Sequence, residues 1–87
     1  MLDFNIIEQL DRIATPFYYY DMDLFHRTVD HIAELASAHN IKVHYAIKAN
    51  VERRLLEYIS GKGFGADCVS GNEVLHAHDC GFPADKI

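Results

Sequence analysis

The sequence has few of the features that mark secreted, membrane or nucleic-acid-binding proteins. Its 87 residues include only two cysteines, two prolines and no tryptophan, and two cysteines are too few for a disulfide framework. No apolar run approaches the roughly 20 residues of a membrane span. Eight basic residues against thirteen acidic ones give a net charge of -5. We therefore expect neither nucleic acid nor an anionic membrane as a partner.

Signals for targeting and for metal binding are also missing. The N-terminus, Met1-Leu2-Asp3-Phe4, lacks the basic segment and the apolar stretch of a secretory signal, so we expect a cytoplasmic protein. His76 and His78 are two positions apart on a predicted helix and face different ways, and the two cysteines form no CxxC motif. We expect no metal site, and we interpret Cys68, which lies in an apolar run, as a small core residue.

Helical periodicity and apolar strand-like runs alternate along the chain. The predicted elements are a helix over 5–13, a strand over 17–20, a helix from 21 or 23 to 40, a strand over 41–47, a helix over 50–61, a strand over 64–69, a helix over 70–81 and the approach to another strand over 85–87. This alternation is typical of a parallel sheet with right-handed crossovers. Because so few strands leave unpaired sheet edges, we interpret the chain as the first part of a larger (β/α) protein.

Lys48 is the most informative residue. It follows the apolar run Val43–Ile47, and a strongly hydrated ammonium rarely ends a buried strand without a function. In a partly dry pocket the pKa of a lysine falls, so that its free amine can add to an aldehyde. Lys48 is therefore a candidate Schiff-base lysine. The alternative is a lysine whose aliphatic stem packs at the strand end while its ammonium reaches solvent.

Three further side chains stand at related positions. Asp67 lies in the next predicted strand, and Glu73 opens the helix after it; groups at the carboxyl ends of parallel strands meet at one edge. Asp67 has an alternative interpretation as a turn residue, and Glu73 as the partner of Ser70 in a capping box. His44, four residues before Lys48 on the same predicted strand face, lies either near the site or packed in a barrel.

Four segments carry a resemblance to a known family. They are Thr15-Pro16-Phe17-Tyr18-Tyr19-Tyr20-Asp21, Tyr45-Ala46-Ile47-Lys48-Ala49-Asn50, Gly65-Ala66-Asp67-Cys68-Val69-Ser70-Gly71-Asn72-Glu73 and Gly81-Phe82-Pro83-Ala84-Asp85-Lys86-Ile87. In order and spacing they resemble the start of the diaminopimelate decarboxylases, which belong to the alanine-racemase-like and ornithine-decarboxylase-like pyridoxal-phosphate enzymes. Asn72 stands where this family usually has a second glycine, which bears on the loop geometry and not on the chemistry.

The resemblance implies an α/β fold in which this chain begins a (β/α)8 TIM-type barrel that binds pyridoxal 5'-phosphate, while residues 1–22 join a second, β domain. It implies that Lys48 forms the Schiff base with the cofactor, that Asp67 lies near the cofactor ring and that Ala46 lines its pocket. Glu73 matches an acidic position close to the active site. The implied reaction is decarboxylation of meso-diaminopimelate to L-lysine by a homodimer.

Two alternatives stay open. One keeps the fold and changes the amino-acid substrate to ornithine, arginine or carboxynorspermidine. The other is a non-catalytic pyridoxal-phosphate-binding protein, which also has a strand-end lysine; the 15–21 segment argues against it, because in the decarboxylases this segment joins the second domain. A small structural module is the least favoured, since its sheet edges would be unpaired.

We predict that the 87 residues alone do not catalyse decarboxylation. The resemblance places the phosphate-binding loop, the glutamate that pairs with the pyridine nitrogen and the ring-stacking histidine later in the chain. A lysine-formation assay on the isolated segment measures this, and turnover above the buffer blank would contradict it.

Overall fold

A computed structural model describes residues 3–87 as helices alternating with a short parallel sheet. The elements are α1 (Phe4–Leu10), α2 (Met22–Ala38), β1 (His44–Ala46), a 3-10 turn (Ile47–Ala49), α3 (Arg53–Gly61), β2 (Gly65–Asp67), α4 (Gly71–Asp79) and a second 3-10 turn (Ala84–Lys86). The two strands pair in parallel, with α3 in the crossover between them, so the predicted α/β alternation is confirmed. None of the described helices is long and apolar enough to cross a bilayer.

Helices α2 and α4 end in the same backbone conformation. Asn40 (φ 53°) follows α2 and Gly81 (φ 105°) follows α4, each in the left-handed conformation that closes a helix. After Gly81 the N–H of Phe82 donates to the carbonyl of Ala77 at 3.1 Å, and the N–H of Ile41 makes the equivalent bond at 2.8 Å. Both predicted helix ends are confirmed. The second one also turns the Phe82 side chain into the core.

One hydrophobic core lies between the sheet and the helices. Its largest fully buried side chains are those of Ile47, Leu56 and Phe82. The other members are Val29, Ile59, Phe64, Ala66, Ala77 and Cys80. The predicted apolar stripe of α2 is buried only at Val29, whereas Ile32 remains 40% exposed. Part of that stripe therefore has no cover among residues 3–87.

The N-terminal segment departs from the sequence-based prediction. Helix α1 ends at Leu10, before Ile13, and none of its residues is buried. The strand predicted over 17–20 is wrong for the described part of the chain, where this segment is irregular and Tyr18 is 88% exposed. A strand forms only where a neighbouring strand satisfies its N–H and C=O groups, and residues 3–87 supply no such neighbour.

Both strands of the sheet are shorter than predicted. Only three residues of each find a ladder partner, and after Ala46 the chain coils into a 3-10 turn that inserts Ile47 into the core. The helix predicted from Asn50 starts at Arg53, with Glu52 as its N-cap. The predicted approach to a strand over 85–87 is instead largely a 3-10 turn.

A polar clasp joins α2 to α3. The Tyr58 hydroxyl donates to Oδ1 of Asp30 at 2.6 Å, and the Lys62 ammonium contacts the same oxygen at 2.9 Å. The imidazole of His26 stacks on the Tyr58 ring, with 4.1 Å between centroids. The hydrogen bonds from Tyr58 and Lys62 lower the pKa of Asp30, which stays ionised. The clasp fixes the two helices side by side next to β1.

Gly65 offers a direct test of this packing. A Cβ at Gly65 would overlap the His44 ring and lie 2.8 Å from the Lys86 carbonyl oxygen. We expect Gly65→Ala to lower the free energy of unfolding by about 1–3 kcal/mol, the usual cost of overpacking, as measured by urea denaturation. The control is Gly71→Ala at the start of α4, where a Cβ meets open space. Equal effects of the two substitutions would contradict this packing.

Candidate functional site

Lys48 lies on the 3-10 turn that directly follows β1. The prediction that it ends the strand itself is wrong, because the strand ends at Ala46. The preceding residue, Ile47, is completely buried and anchors the turn. The Lys48 side chain is exposed, and within residues 3–87 its ammonium has neither a hydrogen bond nor an ion pair. The partly dry pocket expected around Lys48 is therefore not formed by residues 3–87 alone, and the side chain is accessible to a ligand at this edge of the sheet.

Asp67 ends β2 at the same edge. Its Cα pairs with that of Ala46, two residues before Lys48. Because the strands are parallel, both chains leave the sheet at this edge, and the Asp67 carboxylate is exposed there. Lys48 and Asp67 therefore leave the sheet at the same edge, and their common role in a site stays a prediction.

The sheet has one covered face and one open face. Tyr45 and its partner Ala66 face the core, where Ala66 is 2% exposed. Side chains alternate along a strand, so Ala46 and Asp67 belong to the opposite face. That face is lined by small side chains near Asp67, since Ala46 is its neighbour and Gly65 precedes it by two residues. This face thus places the small Ala46 side chain beside the Asp67 carboxylate, while the His44 ring covers Gly65 at the other end of the ladder.

His44 lies at the other end of β1. It pairs with Gly65 at the start of the ladder, and its ring covers that glycine. The prediction that His44 and Lys48 lie on one strand is wrong, because β1 ends at Ala46 and Lys48 lies on the 3-10 turn that follows. A role for His44 near the site stays a prediction.

Glu73 forms the predicted capping arrangement at the start of α4. The Ser70 Oγ accepts a hydrogen bond from the Glu73 N–H at 3.2 Å, and Oε1 of Glu73 accepts one from the Val69 N–H at 3.0 Å. The return bond goes to Val69 and not to Ser70 itself, one residue earlier than in a standard capping box. The carboxylate thereby fixes the loop that follows Asp67. A further role in the active site stays a prediction.

Both cysteines have the character of packed thiols. Burial raises the pKa of Cys68 and, as the largest effect, that of Cys80, so both stay protonated at neutral pH. Cys68 is half-buried against the core and Cys80 is 3% exposed. Within residues 3–87, no three His, Cys, Asp or Glu side chains converge as metal ligands would.

Asn50 is a residue whose position the sequence interpretation missed. The helix predicted to start at Asn50 begins at Arg53, with Glu52 as its cap, so Asn50 lies before the helix. Asn50 instead bonds to three segments: Nδ2 donates to the Tyr20 hydroxyl at 3.2 Å, Oδ1 accepts from the Glu52 N–H at 2.9 Å and its carbonyl accepts from the Tyr45 hydroxyl at 3.3 Å. The only sequence feature that pointed to a role for Asn50 near the site is its position two residues after Lys48.

Comparison with known proteins identifies the family. Residues 23–87 match the family model of the pyridoxal-dependent decarboxylases, pyridoxal binding domain. The chain therefore belongs to the pyridoxal-dependent decarboxylases, whose cofactor is pyridoxal phosphate. No solved structure matches it significantly.

The curated relatives are bacterial diaminopimelate decarboxylases. The chain is 45% identical over 82 residues to that of Bacteroides thetaiotaomicron, which covers 93% of this chain and 21% of the relative. It is 34% identical over 84 residues to that of Helicobacter pylori strain J99 and over 86 residues to that of Campylobacter jejuni, covering 97% and 99% of this chain and 21% of each relative. The chain thus spans about a fifth of the length of these relatives.

The residues at the sheet edge fit pyridoxal phosphate. A primary amine, that of Lys48, is the group that condenses with an aldehyde, and it is exposed and free of partners within the described residues. The Asp67 carboxylate emerges at the same edge, and the small Ala46 side chain leaves room between them. The residues described at this edge, Ala46, Lys48 and Asp67, do not form a site for the phosphate group.

The Ser70 cap can be tested separately from any chemistry. We expect Ser70→Ala to lower the free energy of unfolding by about 0.5–2 kcal/mol, because the N–H of Glu73 loses its acceptor. Thermal or urea denaturation measures the change. Ser37→Ala, at an exposed position near the end of α2, is the control and should be nearly neutral. A Ser70→Ala variant as stable as Ser37→Ala would contradict the assigned cap.

Proposed function

We propose that the full-length protein containing this chain decarboxylates meso-diaminopimelate to L-lysine, with pyridoxal phosphate held by Lys48. The observation that carries the proposal is the free Lys48 amine at the same parallel-sheet edge as the Asp67 carboxylate. The names of the relatives support the substrate. When bound, the cofactor supplies a ring that takes up the electron pair left behind as the carboxyl group departs.

The residues of this chain have separate tasks in the proposed reaction. Lys48 would hold the cofactor aldehyde through Nζ, condensing with it by loss of water, and would be the group that the incoming amino acid displaces. The Asp67 carboxylate favours the positively charged form of nitrogen groups near it. Ala46, small and beside Asp67 in the ladder, leaves the cofactor ring room.

We further propose that residues 1–87 begin a (β/α)8 barrel, the open face of the sheet forming its interior. Both outer edges of the two-stranded sheet lack a strand among residues 3–87, which supports this extension. The exposed aromatic side chains of 17–20 support the proposal that residues 1–22 join a second, β domain; Met1 and Leu2 of that segment lie outside the described residues. A cytoplasmic homodimer completes the proposal.

Activity measurements with the full-length protein test the function. We expect CO2 release and lysine formation with meso-diaminopimelate and none with ornithine, arginine or carboxynorspermidine. Lys48→Ala should reduce turnover to the no-enzyme background, because no amine remains to hold the cofactor. The matched control, Lys42→Ala, changes an exposed lysine before β1 and should retain activity.

The other possible outcomes of these activity measurements distinguish the alternatives. Decarboxylation of ornithine, arginine or carboxynorspermidine alone would replace the proposed substrate. Cofactor binding without any CO2 release would indicate the non-catalytic binding protein. An active Lys48→Ala variant would remove Lys48 from the mechanism.

A further inference from the structure

Three parts of the chain meet at Asn50. Its side chain contacts Tyr20 in the irregular 17–20 segment and Glu52 at the start of α3, and its carbonyl contacts Tyr45 in β1. These contacts surround the turn that carries Lys48, two residues earlier. The turn is therefore held from both sides, by the buried Ile47 before Lys48 and by Asn50 after it.

The two ends of the Asn50 amide have different partners, and chemistry fixes which is which. The Glu52 N–H can only donate, so it requires the oxygen Oδ1. The nitrogen Nδ2 then points to the Tyr20 hydroxyl, which accepts. An amide engaged at both ends has a single orientation, so the Asn50 backbone next to the turn is fixed as well.

Tyr45 also holds Asn50, through a hydrogen bond to its carbonyl. Partial burial raises the pKa of Tyr45, so its hydroxyl stays protonated and donates to the Asn50 carbonyl. A carbonyl held in this way cannot rotate without breaking the bond. The exposed Lys48 side chain has no fixing contact of its own within residues 3–87, so the place of its amine depends on the backbone of the turn.

We infer that Asn50 is a positioning residue for Lys48, coupling the 17–20 segment through Tyr20 to the turn that presents the lysine amine. The inference rests on the proposed function, since it concerns the cofactor-binding role of Lys48. Through this link, a displacement of the 17–20 segment changes where Nζ of Lys48 lies. The segment therefore influences cofactor binding through its hydrogen bond to Asn50.

The test uses the full-length protein freed of cofactor, with the variants Tyr20→Phe, Asn50→Ala and their combination. Pyridoxal phosphate is titrated in, borohydride fixes what is bound, and mass spectrometry measures the fraction of Lys48 modified. Amide hydrogen exchange over residues 47–52 is measured in the cofactor-free proteins. The matched control is Tyr19→Phe, which removes a neighbouring hydroxyl without a partner among the described residues.

We expect Tyr20→Phe to weaken cofactor binding about two- to tenfold, the effect of one hydrogen bond, and to speed amide exchange over 47–52. Asn50→Ala should weaken binding further, and adding Tyr20→Phe to it should change nothing, because the shared bond is already lost. Tyr19→Phe should match the unaltered protein in both measurements.

Two results overturn the inference in distinguishable ways. If the unaltered protein takes cofactor on Lys48 and Tyr20→Phe equals it in binding and in exchange, Asn50 does not position the lysine through Tyr20. If the unaltered protein takes no cofactor on Lys48, the proposed function fails, and the inference falls with it.

Discussion

The structure depends on the parallel register of β1 and β2 and on the burial of one side chain directly after β1. Ala46 pairs with Asp67, and the next residue, Ile47, is fully buried in the core. Burying a side chain of this size contributes about 1.5–3 kcal/mol, and Ile47 is buried where the chain enters the 3-10 turn. The same turn sends Lys48 out of the sheet at the edge where Asp67 ends.

Stability and chemistry are divided between the two faces of this small sheet. The face with Tyr45 and Ala66 is covered by helices and holds the chain together. The opposite face carries the partly exposed Ala46 and the exposed Asp67. The chain belongs to the pyridoxal-dependent decarboxylases, and this explains the arrangement, because a cofactor aldehyde needs an accessible amine with space beside it.

Local chemistry was predictable from the sequence, and long-range pairing was not. The helix ends at Asn40 and Gly81 and the Ser70 cap are set by nearby residues, so their prediction succeeded. The prediction of a strand over 17–20 failed. Strand formation depends on a partner distant in the chain, which β-propensity alone does not reveal.

The candidate site followed the same rule. Lys48 and Asp67 could be placed at one edge from strand order alone. The 3-10 turn that carries Lys48 could not, because it accompanies the burial of Ile47 in the core, which depends on tertiary packing. The bond between Asn50 and Tyr20, which are 30 positions apart, was likewise beyond any local pattern.

The most direct measurement is peptide mapping of the full-length protein after borohydride reduction in pyridoxal phosphate. The chain has four lysines, of which Lys42, Lys62 and Lys86 lie away from the edge where Asp67 ends. If Lys48 holds the cofactor, we expect a phosphopyridoxyl group on Lys48 and none on these three lysines. A modification spread over all four lysines, or absent from Lys48, would contradict it.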